Sequence, residues 1–143
     1  MTIIAWDGET LAADRMQVVY GLSSTVTKIK KTELGLFGAA GPSSMAKEML
    51  NWIETGAHPE NFPSDQRSLD TYATTMLITP EKKILIYETS PYPITIEQRY
   101  YAIGSGRDFA TALMHVNYTA YLAVELTNEL SANCGKGVDT LTF

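Results

Sequence analysis

The chain has 143 residues, 45% of them hydrophobic, with eleven basic side chains against sixteen acidic ones and a net charge of -5. One domain over residues 1–143 is expected, large enough to bury roughly two thirds of the surface its unfolded form exposes. The acids are spread along the chain and the one basic cluster, Lys28-Ile29-Lys30-Lys31, is short, which disfavours a nucleic-acid partner.

TIIAWDGETLAA, residues 2–13, reads as two short strands around Asp7-Gly8, because Asp-Gly between apolar runs is the strongest short hairpin signal. The chain is therefore expected to begin inside a sheet. Val18 to Thr27 is polar and β-branched, and the glycines of the following ELGLFGAAG leave room for close backbone approach at the end of a buried strand. A third and fourth strand are expected there. GPSSMAKEMLNWIETGAHP predicts a helix with Ser43 or Ser44 as its N-cap, an apolar stripe of Met45, Met49, Leu50, Trp52 and Ile53, and a stop at Gly56 and Pro59.

HPENFPSDQRS reads as a loop, with Leu69 to Tyr72 opening the next element. YATTMLITPEKKILIYET holds two β-rich runs joined through Thr79-Pro80-Glu81-Lys82-Lys83, and ITIEQRYYAIGSG continues them as an antiparallel meander that ends in a glycine turn. From Arg107 to about Ser131 the period is helical. Phe109, Ala112, Leu113 and Val116 share one face and, after a break near Asn117, so do Tyr121, Val124, Leu126 and Leu130. GKGVDTLTF closes the chain as a turn and a last strand. Hairpins and meanders around separate helices predict an α+β fold with antiparallel sheets and helices outside them, rather than a doubly wound parallel sheet.

No basic region followed by a long apolar stretch opens the chain, and no window reaches the roughly eighteen apolar residues of a membrane span. A reduced, cytoplasmic protein is the expectation. The single Cys134 cannot form an intramolecular disulfide, and with only the distant His58 and His115 beside it the chain is too sparse in ligands for a zinc site. Neither histidine is expected to act, and Cys134 beside Gly135 reads as a small buried residue.

Three groups of residues could carry chemistry. Thr2 follows the initiator Met, and a small second residue generally lets an aminopeptidase remove that Met. Thr2 would then combine a hydroxyl nucleophile with its own α-amine, whose unperturbed pKa of about 7.7 to 8.0 suits a base near neutrality. The Asp14-Arg15 pair after LAA, with Lys28, could supply an ammonium held beside a nucleophile by a carboxylate; read by itself, the pair equally suits a surface ion pair. Two glycine-rich turns, GAAGP at 38–42 and GSG at 104–106, could offer backbone amides to an oxyanion or a phosphate. Neither is a dinucleotide fingerprint, since GSGRDF lacks a third glycine and its flanks are not βαβ.

Taken in order, TIIAWDGETLAADR, TKI, FGAAGPSSMA, YAIGSG and AVELTNELSANCGKGVDTLTF resemble the proteasome β-subunit and HslV-type peptidases of the N-terminal nucleophile hydrolases, over nearly the whole chain. LAADR and AIGSG are the most specific matches. The resemblance implies a four-layer αββα sandwich, two antiparallel sheets between helices, built into a homo-oligomeric ring. It implies Thr2 as nucleophile, Asp14 as the acid supporting the active-site lysine Lys28, Gly41 as the oxyanion amide, and Ser105 beside the nucleophile's amine. Ala39 falls where the family lines its specificity pocket, and Arg15, Ser131 and Cys134 fall at supporting positions. Ser131 stands where the family usually has an acid, and the first hairpin and several loops are shorter than in typical members. No metal or cofactor is implied; the partners implied are other copies of the chain, an unfolded polypeptide or peptide substrate, and an ATP-driven unfoldase. Two alternatives stay open on the same residues: a ring-forming scaffold without proteolysis, and a small-molecule amidase using the same nucleophile.

Overall fold

The computed structural model describes residues 1–143. Strands β1 (Ile3–Trp6) and β2 (Leu11–Asp14) are buried at every position, so both faces of their sheet must be covered. A small exposed hairpin follows, β3 (Met16–Val19) and β4 (Leu22–Thr25), and then β5 (Ile29–Thr32) and β6 (Gly35–Ala40). Helix α1 (Ser43–Glu54) leads through two short 3-10 turns into β7 (Thr74–Ile78), β8 (Ile84–Tyr87), β9 (Ile94–Ile96) and β10 (Tyr101–Gly104). Helices α2 (Arg107–His115) and α3 (Ala120–Leu130) and strand β11 (Val138–Leu141) complete the chain.

Two antiparallel sheets result, ordered β10-β1-β2-β11 and β5-β6-β7-β8-β9. Alternation along the strands assigns each side chain to one of three cores. Ile4, Trp6, Leu11 and Ala13 meet Ile29, Leu36, Met76, Ile78 and Ile84 between the sheets. Ile3, Ala5, Ala12 and Ala102 face α2 and α3. Phe37, Ala39 and Leu77 face α1, where Trp52 stacks edge-on against Phe62 and Tyr87 at centroid distances of 5.0 and 5.2 Å. The layers are therefore helix, sheet, sheet, helix, the αββα order that the sequence resemblance implies.

Four expectations need correction. Ser43 and Ser44 lie inside α1 and Pro42 is its N-cap, with no side-chain cap bond; the ring fixes φ at -57°, a value the helix that follows shares. Leu69 to Tyr72 is irregular, and the strand begins only at Thr74, once Gln66 has bonded both Ala73 N and Ala73 O at 2.9 Å. The meander ends at β9, because β10 crosses to the other sheet and pairs with β1. The inward faces of α2 and α3 are Ala110, Met114, Ala123, Val124 and Thr127, while Phe109, Ala112, Val116, Tyr121 and Leu130 are exposed. The sheet offers these helices mostly alanines, so they approach closely on their own small residues and a phenylalanine has no room between.

Candidate active site

Thr2 directly precedes β1, and three hydrogen bonds tie its backbone to the GSG turn. Its N–H donates to Ser105 Oγ at 3.2 Å, and its carbonyl accepts from Ser105 Oγ at 3.3 Å and from Gly106 N at 3.2 Å. The turn can come this close only because residue 104 is glycine: its φ is +100°, and a Cβ there would stand 2.1 Å from the Thr2 carbonyl oxygen. Thr2 is buried by this clamp, with 7% of its surface exposed.

Lys28, the residue before β5, reaches across from the other sheet. Its Nζ donates to Asp14 Oδ1 at 2.9 Å, to Thr2 Oγ1 at 3.2 Å and to the Met1 carbonyl at 2.9 Å, which uses all three ammonium protons. Asp14 has no solvent exposure. Besides Lys28 it accepts from the backbone N–H groups of Ile3 at 3.0 Å, Met16 at 3.2 Å and Gly135 at 3.3 Å. A buried carboxylate is tolerable on these terms, with one cation and three amides replacing its water. The amides of Met16 and Gly135 carry no sequence signal, since every residue but proline supplies an N–H.

Arg15 is not part of this network through its side chain, which pairs with Asp139 at 3.1 Å on the neighbouring β11. Its backbone does serve the site: its carbonyl accepts from Val26 N at 2.8 Å, near Lys28, and its N–H donates to the carbonyl of Gly135 at 2.9 Å, whose own N–H bonds Asp14. Ser131 caps α3 and takes Asn133 N at 3.2 Å. Cys134 is buried against the site, and burial pushes its thiol above the ordinary value, with the Asp14 charge adding to the rise and Ser131, Lys28 and Ser105 opposing it. His58 and His115 lie elsewhere: Trp52 Nε1 donates to the His58 carbonyl at 2.8 Å, and the His115 ring meets Tyr100 Oη at 2.6 Å.

Thr2 and Lys28 open onto a cavity of about 610 Å³ between the β5-β6 edge and α1. Ala39 and Gly41, at the end of β6, line it together with Phe37, Ala46 and Leu50. Gly41 has φ +135°, and a Cβ there would come within 2.8 Å of the Tyr72 carbonyl oxygen. The structure thus brings Thr2, Asp14, Lys28 and Ser105 into direct contact, with Ala39 and Gly41 on the same cavity wall.

No family model and no curated protein matches the sequence. Solved structures do match its architecture. BPH from Thiobacillus denitrificans, determined alone and in complex with epoxomicin, superposes on 100% of this chain with TM-scores of 0.73 and 0.76 at 15% identity, over 97% and 98% of those chains. Eukaryotic HslV from Trypanosoma brucei superposes on 98% of this chain and 97% of its own, with a TM-score of 0.68 at 18% identity. This chain has the HslV fold. The resemblance read from LAADR and AIGSG therefore holds for the architecture along the full length. In this chain those two segments carry β2 and β10, the strands that flank β1, and they are also where Asp14 and Ser105 stand.

Proposed function

We propose that the protein is a peptidase of the N-terminal threonine type, activated by loss of Met1 and assembled as a ring of identical subunits. One observation carries the reading: the Lys28 ammonium bonds Thr2 Oγ1 at 3.2 Å while the buried Asp14 holds that ammonium at 2.9 Å. A cation fixed beside a hydroxyl stabilises negative charge developing on its oxygen, and no reorganisation is needed when the charge appears.

Removal of Met1 changes the site in two ways. Thr2 N turns from an amide into an amine beside Ser105 Oγ, and the Lys28 proton now spent on the Met1 carbonyl becomes free. In the proposed reaction the Thr2 hydroxyl attacks the substrate carbonyl while its amine takes the proton, directly or through water. The Gly41 amide stabilises the oxyanion, the peptide amine leaves with the proton, and water releases the acyl group from Thr2. Arg15, Ser131 and Cys134 support the segments that carry these groups. A ring would confine the threonines so that only unfolded chains reach them, with an ATP-driven unfoldase as feeding partner in the cytoplasm.

The test is direct. The chain with Met1 removed is expected to hydrolyse fluorogenic peptides and to retain epoxomicin by intact mass, as BPH forms a complex with it. Thr2→Ala is expected to lose both, and hydrolysis undiminished in that variant would refute the reading.

A second reading, a ring scaffold without proteolysis, is favoured by Ser131, an uncharged residue where the resemblance has an acid. Epoxomicin retention separates the two.

A further inference from the structure

The cavity beside Thr2 has a charge pattern opposite to that of the chain. The protein carries sixteen acidic side chains and eleven basic ones, yet the charged residues that line the cavity are Lys28, Lys30 and Lys47, with no aspartate or glutamate among its sixteen lining residues. The three lysines are not equivalent. Lys28 is neutralised by Asp14 and aimed at Thr2. Lys30 pairs with Glu54 at 3.0 Å, but both side chains are more than a third exposed, so water competes for that pair. Lys47, on the first turns of α1, pairs with no carboxylate.

The remaining wall is apolar at Phe37, Ala39, Ala46 and Leu50 and carries neutral polar groups at Gln17, Thr27 and Ser43. An apolar wall with an unpaired ammonium fits an aliphatic stem that ends in a carboxylate. We infer that this cavity selects an acidic side chain, glutamate above all, on the residue whose carbonyl Thr2 attacks, and that Lys47 with Lys30 is the determinant. The inference rests on the peptidase reading and goes beyond it to the substrate. Lysine and arginine are disfavoured at that position, because a like charge at the cavity would meet an ammonium that has no counter-ion.

The experiment uses the full chain with Met1 removed and four fluorogenic peptides that differ only in having Glu, Gln, Leu or Lys before the reporter. Because the reporter blocks the C-terminus, a fifth peptide, Gln at that position with a free carboxylate after it, separates an acidic side chain from a terminal carboxylate as the anion bound. Expected is Glu above Gln by about fivefold in kcat/KM, the scale of one partly exposed charge pair, with Lys poorest. That ratio should shrink as salt is raised, since screening at 1 M acts within about 3 Å. Lys47→Gln should bring Glu and Gln close to equal, and Lys47→Glu should favour the Lys peptide.

Hydrolysis that depends on Thr2 but prefers Leu or Lys, or that ignores Lys47, overturns this inference and leaves the peptidase reading standing. Preference for the free-carboxylate peptide over the Glu peptide also overturns it. No hydrolysis of any peptide beyond that of Thr2→Ala overturns the peptidase reading, and this inference with it.

Discussion

The Asp14 carboxylate holds four donors and has no solvent exposure. Removing it as Asp14→Ala leaves the Lys28 ammonium, only 9% exposed in its side chain, without a counter-ion, and three backbone N–H groups without acceptors. Breaking a buried pair from one side typically costs about 3–5 kcal/mol, and a loss of that size is expected in urea unfolding. A loss below about 1 kcal/mol, the scale of an exposed pair, would show that water reaches the group. Cys134 gives a pH prediction of the opposite kind. Burial raises its thiol in the folded chain, so the folded state holds that proton more tightly than the unfolded one. Its contribution to stability is intact below the ordinary thiol value of 9.0 and falls as pH rises through the folded value. Alkylation of the native protein at neutral pH should be slow, and fast once denaturant is added. The sequence resemblance pointed to Thr2, Asp14 and Lys28 by position alone. The place of Lys47 and Lys30 on one cavity wall was not legible, because a lysine on the polar side of a helix or in a short basic run reads as solvated until the fold brings the two together.

At the scale of elements, the strand-turn-helix unit around Gly104 holds Thr2 in register. Gly104→Ala would drive a Cβ into the Thr2 carbonyl and also force a non-glycine residue to φ +100°. Since Ile3 pairs with Gly104, relief is easiest by moving the first two residues, so peptide hydrolysis should fall at least tenfold while unfolding changes by about 1–3 kcal/mol. Equal activity in this variant would mean that Thr2 is held by Lys28 alone. Strands were readable as short apolar or β-branched runs bounded by turn residues, and the first helix by apolar residues spaced three to four apart. The inward faces of α2 and α3 were not, because the rule seeks large apolar residues on the core side and this interface is built on Ala5, Ala12, Ala102, Ala110, Ala120 and Ala123. The crossing of β10 to the first sheet was equally silent, since a strand's sequence records burial and not the identity of its neighbour.

For the whole molecule, the apolar residues left outside matter most. Val18, Val19, Tyr20 and Leu22 on the β3-β4 hairpin are exposed, as are Phe109, Val116, Tyr118 and Tyr121 on the outer helix layer. A two-stranded hairpin is marginal in water by itself, and contact with another subunit would cover these side chains. Native mass spectrometry is expected to give a closed multimer of the chain, and Tyr20→Asp with Leu22→Asp to reduce it to monomer. A parent chain that is monomeric at micromolar concentration would remove the ring and leave the more open amidase alternative. No helix is long and apolar enough to cross a membrane.

The clamp on residue 2 bears on how the protein is made in the laboratory. Met1 is 63% exposed and nothing in the fold depends on where the chain before it leads, apart from the Lys28 bond to its carbonyl. An affinity tag fused ahead of it should therefore leave expression, solubility and melting behaviour ordinary while every copy stays dormant. On the peptidase reading, such preparations would pass each quality check short of an assay, and a negative result would belong to the cloning vector and not to the chain.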